Sequence, residues 1–215
     1  MCKYLTSARR RIFREEFNSF IDEFVRPKLL SKNIDYFEVS CVPPTTNTEL
    51  QSVFKSRKLN AWTQSVYLYR KNNRLADPIL HEGYLCELRE IGKKYPVKNK
   101  EFIENKVLDY WDSMDAFHNN ANGFCLIIDN MVASLALTGW LAGNTHEISI
   151  ETVGNHRRKG FAQICATALV NSYLKQGYLP YWECEMNNIA STKLAENLGF
   201  SKLFDYTCFG FNISD

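Results

Sequence analysis

One stretch narrows the folds open to this chain more than any other. Residues 146–153, His-Glu-Ile-Ser-Ile-Glu-Thr-Val, alternate and are rich in β-branched side chains, which predicts a half-buried strand. Shortly after it, Phe161, Ile164, Cys165, Ala168, Leu169 and Leu174 recur at three- and four-residue spacing, which predicts a helix with one buried face. The connection, Gly154-Asn155-His156-Arg157-Arg158-Lys159-Gly160, is an Arg-x-x-Gly-x-Ala turn when read through to Ala162. A helix N-terminus presents unpaired N–H groups and a partial positive charge, so such a turn reads as a diphosphate-binding loop. Gly160 lets backbone and ligand approach closely, Ala162 keeps the first helical turn small, and Arg157, Arg158 and Lys159 add positive charge. The same residues also fit a solvated basic turn heading an ordinary helix.

A second motif lies downstream. Residues 181–186 read as a strand, and residues 188–197 as a short helix that Asn188 caps and Gly199 stops. This order of strand, Arg-x-x-Gly-x-Ala helix, strand, Asn-x-x-Ser helix and Leu198-Gly199-Phe200 resembles the GNAT superfamily of N-acetyltransferases over residues 83–211. It is most similar to a bacterial branch carrying Arg-Arg-Lys-Gly-Phe-Ala and Asn-x-x-Ser…Leu-Gly-Phe. The resemblance implies an α/β (α+β) fold with a mixed, mainly antiparallel central sheet flanked by helices. It also implies acetyl-CoA as cosubstrate, an EC 2.3.1 acyltransferase activity, and direct transfer to an amine of a small molecule or peptide. Arg157, Gly160 and Ala162 match the family's pyrophosphate loop, with Arg158, Lys159 and Phe161 inside it. Thr152 and Val153 fall where two central strands splay and backbone groups bind the pantetheine arm, Ile150 lines the same groove, and Asn188 and Ser191 lie on the cofactor side. The alternative is a non-catalytic acyl-CoA-binding or regulatory module of the same fold; transfer of a longer acyl chain is a third reading.

An amine must lose a proton to attack a thioester, and the family commonly uses a carboxylate on the strand before the loop. Glu147 and Glu151 are four apart on that strand and share a face if it is regular. Glu147 is the favoured base, and His146, on the opposite face, is a third candidate. The tyrosine that often protonates the departing thiolate is replaced by Ala195, so Tyr206, Tyr181 or water takes the role, or no acid is used. Glu183 and Glu185 on the next strand favour an amine over an alcohol if all four carboxylates face one cleft.

The chain's 215 residues, 45% hydrophobic content and net charge of +2 fit a soluble enzyme and argue against a nucleic-acid binder. Arg9, Arg10, Arg11 and Arg14 are followed by Glu15, Glu16, Asp22 and Glu23, which suits a solvated helix face. Seven cysteines without metal-ligand spacing read as reduced residues of a cytoplasmic protein, with no metal site. No apolar run of membrane-spanning length occurs, and the expected assembly is a monomer or homodimer.

Residues 1–78 are expected to form an N-terminal α/β half and residues 79–215 the catalytic domain, with a linker near 72–78. The first half reads as an amphipathic helix over 13–25 that ends near Pro27 or resumes to Leu30, a strand over 36–39, a helix over 49–58 and a strand over 62–70. Its order copies that of the C-terminal part, so it is either a degenerate half of the same fold or an unrelated extension. In the second half a strand is expected over 84–91, one helix over 101–117, and a hairpin over 124–141 turning at Asp129-Asn130.

Overall fold

The computed structural model describes residues 14–40, 47–70 and 74–214. Arg9 to Arg11, Phe13 and the Asn72-Asn73 part of the expected linker lie outside them. The described chain forms two compact units, one comprising residues up to Ser65 together with those from Phe204, the other running from Val66 to Leu203. A single cut near residue 78 does not describe this division. The reason is strand pairing between distant parts of the chain, set out next.

In the smaller unit, helix α1 (Arg14–Phe20) passes through a π turn (Ile21–Val25) into α2 (Arg26–Leu30). Pro27 sits at the start of α2, where a missing N–H costs least. Strand β1 (Tyr36–Ser40), helix α3 (Asn47–Val53) and strand β2 (Asn60–Leu68) follow. The helix expected to reach residue 58 therefore stops at Val53. Strand β8 (Ser201–Asn212) pairs antiparallel with β1, from Tyr36↔Asn212 to Ser40↔Cys208, in the order β1-β8-β2. Alternation along β8 sends Phe209 and Phe211 into a core with Ile21, Leu50 and Phe54, and Ile213, just past the strand, joins it. That burial ties the C-terminal strand to the N-terminal helices.

The larger unit contains β3 (Tyr84–Glu87), α4 (Lys100–Leu108), α5 (Met114–Asn120), β4 (Gly123–Ile128), β5 (Met131–Ala142) and β6 (Thr145–Thr152). Helix α6 (Phe161–Lys175), strand β7 (Leu179–Glu185) and helix α7 (Ile189–Asn197) complete it. The strands run β7-β6-β5-β4-β3, antiparallel except for β6 beside β7. The observed class is the expected mixed, mainly antiparallel α/β fold. Asp129 and Asn130 both take positive φ, +50 and +60, as a two-residue hairpin turn requires. One face of the sheet packs Leu126, Ile148 and Trp182 against Phe161, Cys165 and Leu169 of α6. The other packs Cys125, Leu135 and Leu137 against Ile103 and Val107 of α4 and Phe117 of α5.

Two expectations need correction here. The strand over 84–91 ends at Glu87, where Glu87 and Glu90 cap one another around a tight turn. The single helix over 101–117 is two helices, broken between Leu108 and Met114. Ser113 is extended at φ −163, and its hydroxyl accepts from the Ala116 N–H at 3.0 Å, while the Trp111 indole donates to the Thr138 carbonyl at 2.8 Å. Ser113→Ala removes the cap and is expected to cost about 1 kcal/mol, measurable as a lower urea midpoint with unchanged slope.

Candidate functional site

The site begins where two strands part. β6 and β7 pair in parallel only at Thr145↔Leu179, His146↔Pro180 and Glu147↔Tyr181, and beyond Glu147 their pairing ends. The other edge of β6 remains bonded to β5, through Leu137↔Ser149, Leu135↔Glu151 and Ser134↔Thr152. The Val153 N–H donates to the Ala133 carbonyl at 3.0 Å, which fixes the phase of the strand. Ser149 and Glu151 therefore direct their backbone groups at β5, and Ile150 and Thr152 direct theirs into the gap. The Val153 carbonyl accepts from His156 N–H at 2.8 Å, so both of its backbone groups are engaged within the chain. Of the three residues expected along this groove, Ile150 and Thr152 are the ones whose backbone groups face the gap, and the Thr152 carbonyl already accepts from Arg157 Nε at 3.1 Å.

Immediately after β6 the chain makes one tight turn over Gly154–His156 and enters α6. Gly160 stands at the head of that helix with φ +81, a conformation that side chains resist, and nothing lies within 4 Å of where a β-carbon would be. Arg158 is also left-handed, at φ +62. Arg157, Arg158, Lys159 and Gly160 are all exposed, so three cations and the glycine that heads a 15-residue helix are open to solvent together. Phe161 is buried and anchors the turn to the core; Ala162 is half-buried beside it. Across the gap, Asn188 accepts from the Ser191 N–H at 3.1 Å and so caps α7, while Ser191 Oγ accepts from the Trp182 indole at 3.0 Å. Ala195, on the inner face of α7, is fully buried in the core.

Antiparallel partners share a face, so the pairing of Ser149 and Glu151 with Leu137 and Leu135 puts them on the α4/α5 side. Glu147 shares that face by alternation. On β7, Trp182 and Cys184 enter the α6-side core, which leaves Tyr181, Glu183 and Glu185 on the face of Glu147. The structure thus brings all four carboxylates to one side of the strands. Glu147 is only 6% exposed, whereas the Glu151 side chain is 43% exposed and lies 3.8 Å from Lys106 Nζ. Tyr110 accepts from Ser149 Oγ at 3.1 Å, and its pKa is raised by burial and then by the nearby Glu147 charge, so its phenol stays protonated. Burial alone would lower the Lys106 pKa; Tyr110, Asp109 and Glu151 outweigh it and hold the lysine charged.

Other candidates sit elsewhere. His146 is buried between Tyr178, stacked at 3.9 Å, and the edge of Tyr173 at 5.1 Å, and desolvation lowers its pKa. It faces α6 rather than the carboxylates. Tyr181 donates to Glu183 Oε2 at 2.7 Å and packs on Trp140. Tyr206 belongs to β8 of the smaller unit, where it is buried with its ring 6.2 Å from that of Phe204. Ser149 and Lys106 were not singled out from the sequence, because only the break between α4 and α5 and the phase of β6 bring them to Tyr110. Among the described residues there is no cluster suited to a metal ion, and no helix is long and apolar enough to cross a membrane.

The comparisons with known proteins identify the family and the fold. The family model for GNAT acetyltransferases matches residues 12–209. The chain is 24% identical over 194 residues to an uncharacterised N-acetyltransferase, YdfB, of Bacillus subtilis (strain 168), covering 90% of this chain and 72% of the relative. A GCN5-related N-acetyltransferase-like protein from Streptococcus suis superposes with a TM-score of 0.63 at 17% identity, over 86% of this chain and 76% of that one. A tandem GNAT protein from the clavulanic acid biosynthesis pathway gives a TM-score of 0.55 at 11% identity, over 94% and 71%. Those structures share the fold.

Proposed function

The chain belongs to the GNAT acetyltransferase family and is an acyltransferase, and from that premise we propose that it transfers the acetyl group of acetyl-CoA directly to an amine. The observation that carries this reading is the parting of β6 from β7 after Glu147, with the head of α6 next to the open edge. A pantetheine arm is an extended chain of amides, and the outward backbone groups of Ile150 and Thr152 suit it as a strand edge would. Its diphosphate suits the first turn of α6, where Gly160 leaves room and Arg157, Arg158 and Lys159 supply charge. Asn188 and Ser191, at the head of α7, complete the cofactor side. Acetyl-CoA, when bound, supplies an acetyl group already activated as a thioester.

The acceptor enters on the α4/α5 side. Glu147, buried and beside Tyr110, is the group placed to take the proton from the attacking nitrogen, and Glu151 is held in a partial ion pair with Lys106. Carboxylates on both strands attract a cationic acceptor, which favours an amine. Protonation of the departing thiolate is a modest requirement that water can meet, because a thiolate with pKa near 8 to 9 leaves readily. Work in the cytoplasm, where acetyl-CoA is available, fits this chemistry.

The test is thiol release from acetyl-CoA in the presence of an amine panel comprising n-butylamine, 1,4-diaminobutane and a peptide with a free lysine. Acceptor-dependent thiol release with a matching acetylated product is the expected result. Cofactor hydrolysis that no amine accelerates would count against direct transfer to an amine.

A further inference from the structure

β5 is irregular directly opposite Glu147. Thr138 pairs with Ile148 and Leu141 with His146, so Gly139 and Trp140 together stand against the single residue Glu147. An extra residue in one strand bends it and frees a backbone group; here the Thr138 carbonyl turns to the Trp111 indole. A β-carbon built on Gly139 would overlap Oε2 of Glu147, and would stand 3.2 Å from its carboxyl carbon and 3.1 Å from Cε1 of Tyr110. Gly139 is buried, and its φ is not among the positive ones, so the backbone does not itself call for glycine. What requires glycine there is the carboxylate.

We propose that Gly139 is a positioning residue for acetyl transfer: the space left by its missing side chain is where the Glu147 carboxylate lies, against the ring of Tyr110. The inference rests on reading Glu147 as the base, and it adds why this carboxylate, rather than Glu151, is held inside. The overlapped atom is the far end of a flexible side chain, not backbone. A methyl group at 139 is therefore accommodated by moving the carboxylate, with the strands left in place. A displacement of about 1 Å at a reacting group can cost on the order of 10²-fold in rate.

The test compares the wild-type chain with Gly139→Ala. With carboxyl-¹³C glutamate, the Glu147 resonance, assigned by its loss in Glu147→Gln, is expected to move in Gly139→Ala while that of Glu151 stays. With the best amine of the panel, kcat is expected to fall about 10- to 100-fold with the KM for acetyl-CoA unchanged. Gly139→Ala added to Glu147→Gln should then cost nothing further. An unmoved Glu147 resonance, or a loss that adds in full to that of Glu147→Gln, overturns the proposal. If Gly139→Ala lowers the melting temperature, Glu147→Ala in the same chain should restore it, and a loss that persists also overturns it. Absence of transfer by the wild-type chain would count against acetyl transfer, and the resonance and melting measurements then decide the placement alone.

Discussion

Glu147→Gln is expected to lower amine acetylation by about 10²- to 10⁴-fold, the range a well-placed general base supplies, with acetyl-CoA affinity changed by no more than about twofold. Glutamine keeps the shape of the side chain, so the pocket formed by Gly139 and Tyr110 stays filled and the loss reads the missing proton acceptor. Glu151→Gln is expected to cost about tenfold or less, because that carboxylate is 43% exposed and partly neutralised by Lys106. The measurement is kcat/KM for the amine at saturating acetyl-CoA. Equal losses in the two variants, or a full loss only in Glu151→Gln, would move the base along β6.

The second large effect belongs to the cofactor loop. Arg157→Glu with Gly160→Glu replaces one cation and one open glycine by two anions at the positive end of α6, where a diphosphate would sit. Acetyl-CoA affinity is expected to fall at least about 100-fold, or about 2.8 kcal/mol. The left-handed backbone at 160 adds about 1 to 2 kcal/mol of strain to any non-glycine residue. A thermal melt therefore accompanies the binding measurement, and the variant should still unfold cooperatively. Gly160 is exposed and a side chain built there would meet nothing within 4 Å, so a folded variant with wild-type affinity would remove α6 from the cofactor site.

Much of this architecture could be read locally. β6, the Arg157 turn and α6 were legible because alternation, a glycine and helical spacing follow one another within thirty residues, and each signal lies in its own segment. The Asn188 cap and the Gly199 stop were legible for the same reason. The break at Ser113 was less so, since residues 101–117 keep enough apolar spacing for one helix, and the interruption is sealed by a distant partner, the Thr138 carbonyl. Gly139 gave no local signal, because the irregularity in β5 exists only relative to β6. The choice between Thr152 and Val153 needed the phase of β6, which one long-range bond to Ala133 sets. The extent of the smaller unit was hidden likewise, for β8 joins it by pairing with β1 about 170 residues earlier in the chain. Contacts between separate elements decided every one of these points.

The most direct test of the account is amide hydrogen exchange with and without saturating acetyl-CoA. Cofactor lying in the gap should slow exchange at Ile150 and Thr152, whose N–H groups face it, and at the first turn of α6 after Gly160, while Ser149 and Glu151, bonded to β5, change little. Absence of binding, or binding that protects neither the β6 edge nor the head of α6, would contradict the placement of acetyl-CoA between β6 and β7.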